Sequence, residues 1–109
     1  MTNKLLNRIY KKKKTEYNIF QLENNLPTLI TQVNDKVYKS VISKMELQHY
    51  CKEWLINELH YSVLSGNGNE KLNGYQCIIS SFYGGEEEIF YGETEYKAIV
   101  EACLSVLED

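Results

Sequence analysis

From position 47 onward the apolar residues keep to one helical face. Leu47, Tyr50, Cys51, Trp54 and Leu55 stand at i, i+3, i+4, i+7 and i+8, the stripe of an amphipathic helix. Lys44, Glu46, Lys52, Glu53 and Asn57 fall mostly away from it. Ser43 followed three residues later by Glu46 reads as a capping box at the helix start. Leu59 and Val63 continue the seam and Gly66 ends it, which predicts one helix over 44–64. A second stripe holds Tyr96, Ile99, Val100, Cys103 and Leu107. Thr94 can cap that helix, Glu95 lies in its first turn, and Ala98 and Ala102 allow close approach. Leu5, Leu6, Ile9 and Tyr10 show the same spacing over barely two turns. A helix that short needs tertiary support.

Between 16 and 42 the pattern changes to strands. Tyr17, Ile19 and Gln21 alternate with Asn18, Phe20 and Leu22. Asn24-Asn25-Leu26-Pro27 reads as a turn. Asn34-Asp35, between β-branched runs, predicts a tight hairpin with both residues at positive φ. The run 66–74, rich in Gly and Asn, is expected as the connection from helix to sheet. Tyr75 to Tyr83 and Glu87 to Tyr91 then read as two strands joined by a turn at Gly84-Gly85. The resulting order is (short α)–β–β–β–α–β–β–α. This is an α+β protein with a mainly antiparallel sheet of about five strands packed against two main helices. Residues 1–14 form a basic arm or short helix, and 15–109 a single α+β domain.

The length of 109 residues supports that one-domain reading. Charge adds polarity to the picture. Lys4, Arg8, Lys11, Lys12, Lys13 and Lys14 put six cations and no acid into the first fourteen residues. All fifteen acids come later, and nine of them follow Gly66 against Lys71 and Lys97. Such asymmetry concerns partners and encounter rates. A basic run can meet nucleic acid, fray into solvent, or clamp the protein's own acidic face. No long apolar run or signal peptide is apparent, so a cytoplasmic protein with no membrane association is expected. Cys51, Cys77 and Cys103 are odd in number and widely spaced. They read as three reduced core thiols in a reducing compartment.

Catalytic and metal motifs are not evident, and neither a cofactor nor a metal is expected. On a helix over 44–64, His49 and His60 would lie about 16 Å apart, too far to share a metal. They read as helix-surface or boundary histidines, with a local Glu53/His60 pair also open. The GxG at 66–68 follows a helix, whereas phosphate-cradling loops precede one. Glu86, Glu87, Glu88, Glu93 and Glu95 cluster near a turn and a helix start, where solvation is the easy outcome. The cluster suits an acidic contact surface better than a catalytic pair. Nine tyrosines is a high count, and Tyr combines large contact area with low entropy cost. Tyr83, Tyr91 and Tyr96 neighbour the acids. Glu86, Glu87, Glu88, Tyr83, Tyr91, Glu93 and Tyr96 are therefore the candidate protein-binding residues. Lys4, Arg8 and Lys11 to Lys14 are the alternative, nucleic-acid-binding set.

The stretch Phe90-Tyr91-Gly92-Glu93-Thr94 runs at once into Glu95-Tyr-Lys-Ala-Ile-Val-Glu-Ala-Cys-Leu-Ser-Val-Leu. This C-terminal third, 74–108, resembles small phage proteins of the ABA-sandwich type. The resemblance implies a phage or prophage origin and carries over no functional residue. Together these readings point to a small non-enzymatic binding protein, phage-encoded by that resemblance. It would act by protein contact and inhibit a host nucleic-acid-handling or defence protein. The alternative is a nucleic-acid accessory protein using the basic arm. A homodimer is compatible with either.

Overall fold

The structure, a computed structural model, describes residues 1–67, 74–81 and 84–108. The chain runs α1 (Asn3–Ile9), β1 (Asn18–Glu23), β2 (Leu26–Val33), β3 (Lys36–Val41) and α2 (Lys44–Glu53). A π-helical turn (Trp54–Glu58) extends α2, followed by β4 (Tyr61–Asn67), β5 (Tyr75–Ser81), β6 (Glu88–Gly92) and α3 (Glu95–Glu108). The α+β class is as read from the sequence. The expected sheet of about five strands is instead two separate three-stranded antiparallel sheets, β1-β2-β3 and β4-β5-β6.

The extra strand comes from the expected helix over 44–64, which stops early. The Leu59 N–H reaches back five residues to the Trp54 carbonyl at 3.2 Å, and His60 then turns left-handed at φ 59°. Val63 satisfies the helical seam, but it equally satisfies the alternation of Tyr61, Val63 and Ser65, and β4 takes it. His49 and His60 therefore share no helix. His49 Nε2 meets Glu53 at 3.2 Å, replacing the Glu53/His60 pair. Gly66 and Asn67 belong to β4 and are not part of a connection. Residues 68–73 of that run lie outside the described residues, as do 82–83 at the end of the expected strand Tyr75 to Tyr83.

Two tight hairpins build the first sheet. Asn34 and Asp35 have φ 49° and 65°, as expected. Asn24 and Asn25 have φ 50° and 65°, so the first turn is these two residues alone. Leu26 and Pro27 already pair with Glu23 and Leu22 in the ladder. One face of this sheet holds Phe20, Leu22, Leu29 and Tyr38, and Phe20 and Leu29 meet the core. On the other face Glu23 and Lys39 join at 3.2 Å across β2. Thr28 and Ile30 share that face and are buried, although Ile19, Val37 and Val41 beside them are exposed. β3 is exposed along its whole length.

The core lies between α1, α2, α3 and the inner face of the second sheet. Leu5, Leu6 and Ile9 bury the inward side of α1, and each contributes about 1.5–3 kcal/mol by leaving water. Tyr10, next in the chain, is the hub of this end. Its ring stacks on Phe20 of β1 at 4.3 Å and tilts against Tyr50 of α2 at 4.9 Å. Its hydroxyl donates to the Glu46 carboxylate at 2.7 Å. Burial, and then that bond, push the phenol well above its ordinary pKa. Ser43 caps α2 by accepting from the Glu46 N–H at 3.2 Å, so the capping box works through Ser43 while the Glu46 carboxylate serves Tyr10.

Cys77 and Ile79 of β5 face α3, whose buried side is Ala98, Ile99, Val100, Ala102 and Cys103. The three thiols are free and buried, as expected. Thr94 caps α3 by accepting from the Lys97 N–H at 3.1 Å. Gly92 ends β6 at a close approach: a Cβ there would stand 2.6 Å from the Ala98 nitrogen.

Candidate functional site

β6 and the start of α3 gather most of the acidic and tyrosine candidates. The register pairs Tyr91 with Gln76 and Phe90 with Cys77. Phe90 therefore turns inward with Cys77, and Ile89 and Tyr91 turn outward. Tyr91 is 52% exposed. Glu88 is the first residue of the strand, and Glu93 follows its last residue, so carboxylates bracket β6 at both ends. Glu86, Glu87 and Glu88 are exposed, and none of them forms an ion pair with a described residue. Glu93 is exposed and accepts from the Lys97 ammonium at 3.2 Å. Tyr83 lies outside the described residues.

Tyr96 sits in the first turn of α3, half-buried, with the Lys44 ammonium 5.9 Å from its ring centre. Burial raises its hydroxyl to about 12, so the phenol stays protonated and available as a donor. Tyr91, Glu93 and Tyr96 line one open groove of about 770 Å³ with Phe90, Val100 and Glu101. The strand-to-helix junction forces this convergence, because Gly92 lets the α3 backbone come down directly on the strand end.

Glu95 does something different from its neighbours. Its carboxylate accepts from the Ser65 hydroxyl at 2.7 Å and from the Lys52 ammonium at 3.3 Å. It thereby ties α3 to β4 and α2. The Ser65 bond, then the Lys52 charge, hold it below the usual carboxylate range against the opposing cost of burial. Neither contact follows from the sequence, since Ser65 and Lys52 lie 30 and 43 positions from Glu95 and on other elements.

The basic set divides. Lys12 reaches Glu58 on the π-helical turn at 2.9 Å. Lys13 donates to the Tyr50 hydroxyl, with its ammonium near the Tyr50 ring. Both lysines therefore face the protein's own α2. Lys4, Arg8, Lys11 and Lys14 are exposed and form no ion pair with a described residue. A small pocket of about 260 Å³ lies between Arg8, Lys12, Lys13 and the Trp54–Glu58 turn.

The thiols lack the setting of nucleophiles. Burial pushes Cys77 up to about 11. Cys103 is raised further by its contact with Cys51 and by burial, and its Sγ lies 3.8 Å from the Cys51 carbonyl. A thiol held protonated in the core is a poor nucleophile. Among the described residues, no group of three or more His, Cys, Asp or Glu could hold a metal ion, and no helix is long and apolar enough to cross a membrane.

The outward face of the second sheet has no signature in the sequence, because residues 61–64 continue the helical seam. Leu64, Ile78 and Ile89 pair directly across its three strands. Ser62, Gly66, Gln76, Ser80 and Tyr91 complete the face, which carries no charged residue. The fold and site thus define an α+β protein of two three-stranded sheets whose second sheet ends in an acidic, tyrosine-bearing rim. The chain matches no known protein family, no curated protein and no solved structure.

Proposed function

We propose that this is a small non-enzymatic binding protein that acts through the acidic, tyrosine-bearing rim at β6 and the start of α3. The observation that carries this reading is the convergence of Tyr91, Glu93 and Tyr96 on one groove at the end of the strand that starts at Glu88, just after Glu86 and Glu87. These three acids form no ion pair with a described residue. Aromatic contact area next to uncompensated negative charge suits a basic protein surface. A nucleic-acid-handling host protein has such a surface, and inhibition follows if the rim occupies it. A phage origin fits the same role. Three free thiols suit a reducing cytoplasm.

The experiment is affinity purification of the tagged protein from its native cell, with protein and nucleic acid both identified. The expected result is a basic protein partner whose association slows with salt. Reversing Glu86, Glu87 and Glu88 to Lys should slow it about tenfold or more and flatten the salt dependence. Recovery of nucleic acid alone overturns the reading.

A second reading, nucleic-acid binding through the N-terminal cations, draws on the exposure of Lys4, Arg8, Lys11 and Lys14. Its test is substitution of those four by Gln. Deleting 1–14 would also remove Leu5, Leu6, Ile9 and Tyr10 from the core.

A further inference from the structure

Resting on the protein-contact reading above, we infer that β6 and α3 form a receptor for one extended segment of a partner protein. That segment carries alternating apolar and basic residues and joins the second sheet as a fourth strand beside β6.

An edge strand turns the N–H and C=O of every second residue away from its sheet, and added strands bind by pairing with them. The edges of this protein are not equivalent. The Leu22 N–H on β1 is taken by the Asn3 side chain at 2.8 Å. β3 is exposed along its whole length and has no buried wall against which added side chains could pack. β4 packs beside the π-helical turn. Among the described residues β6 pairs only with β5, and it borders a groove against α3. That groove holds about 770 Å³, within the ordinary range of ligand clefts.

The lining states what the segment must be. Phe90, Tyr96 and Val100 present an apolar floor, so every second side chain of the added strand should be apolar. Glu88 and Glu93 bracket the strand, Glu101 stands on the α3 wall, and Glu86 and Glu87 extend the negative end. Met1 also lines the groove, and among the described lining residues Lys97 is the one cationic side chain, already held by Glu93. The remaining side chains of the segment should therefore be Lys or Arg. A second copy of β6 is a poor occupant, because it would bring its own glutamates against these.

The probe is a blocked octapeptide alternating lysine and valine, titrated into the full chain and followed by backbone amide shifts and hydrogen exchange. The expected result is saturable binding, with shifts and new protection confined to Ile89–Gly92 and the first turns of α3. Methylating alternate backbone nitrogens of the peptide should weaken binding about tenfold or more, since several main-chain bonds are lost at once. Glu101→Lys should weaken it several-fold while the fold is kept. Equal binding of the methylated peptide overturns strand addition and leaves the acidic contact surface standing. Shifts mapping away from β6, or no saturation by the unmodified peptide, also overturn it. The affinity purification above then judges the surface independently.

Discussion

Gly92 holds the strand-to-helix junction together through what it lacks. A Cβ there would lie 2.6 Å from the Ala98 nitrogen and 2.8 Å from the Lys97 Cβ. The nearest obstacle is helix backbone and cannot rotate aside. Gly92→Ala should therefore cost about 1–3 kcal/mol, the scale of an overpacked contact, read as a lower urea midpoint with unchanged slope. Gly66→Ala is the control, because nothing lies within 4 Å of a Cβ at that position. Equal midpoints for the two variants would discard the close-approach argument. Glu95 makes a pH-dependent contribution. Its folded pKa is lowered, by the Ser65 hydroxyl first and also by Lys52. The stability it supplies is thus complete above the ordinary carboxyl value of roughly 4.3 and is lost as pH falls through the folded value. Glu95→Gln should destabilise by about 1 kcal/mol at pH 7, the scale of a partly screened charged hydrogen bond. The deficit should shrink towards pH 3. A deficit constant between pH 7 and pH 3 in urea melts would contradict this role.

At the scale of elements, what could be read from the sequence was whatever the chain decides locally. The Asn34-Asp35 hairpin, the start of α2 at Ser43 and the Thr94 cap each depend on a few adjacent residues, and all three form. The end of α2 depends on a conflict that local pattern does not resolve. Leu55, Leu59 and Val63 continue a helical seam, while Tyr61, Val63 and Ser65 alternate as a strand. Pairing with β5 decides it, because Val63 lies opposite Ile79 and Ser65 opposite Cys77 on the inward face. Once β4 forms, the second sheet is complete with three strands, and the first sheet remains a separate meander behind α1. Part of the candidate site was legible for the same reason. Tyr91, Glu93 and Tyr96 are near neighbours in sequence, so one strand-to-helix junction brings them together. The Ser65–Glu95, Lys52–Glu95 and Lys12–Glu58 contacts join residues 30, 43 and 46 positions apart, and only the assembled fold makes them.

Across the whole molecule the two sheets are held unequally, and stability should follow that division. The protein measures 51 × 31 × 19 Å, with a radius of gyration of 15.3 Å, above the roughly 13 Å of a compact chain this long. The first sheet accounts for the elongation. It reaches the core through Phe20 and Leu29 and by packing of β1 on α1, while β3 has no buried residue. The second sheet instead lies under α3, with Cys77 and Ile79 fully enclosed. Opening β3 exposes little new apolar surface, whereas opening β5 breaks the core, so the two strands should open with different free energies. The two-residue turn makes Val33 and Lys36 a hydrogen-bonded pair, so the amides of Lys36, Tyr38 and Ser40 point to β2. Native-state hydrogen exchange should show them exchanging roughly a hundredfold faster than those of Cys77 and Ile79, a gap of about 2.7 kcal/mol. Raising the denaturant should converge the two sets only near global unfolding. Equal protection of both sheets in water would mean that the Glu23–Lys39 pair and the Tyr10–Phe20 stack bind the first sheet into the same cooperative unit as the core. In that case the projecting meander would be a rigid extension of the molecule, and its exposed Val37, Tyr38 and Val41 would form a contact surface as well ordered as the rim at β6.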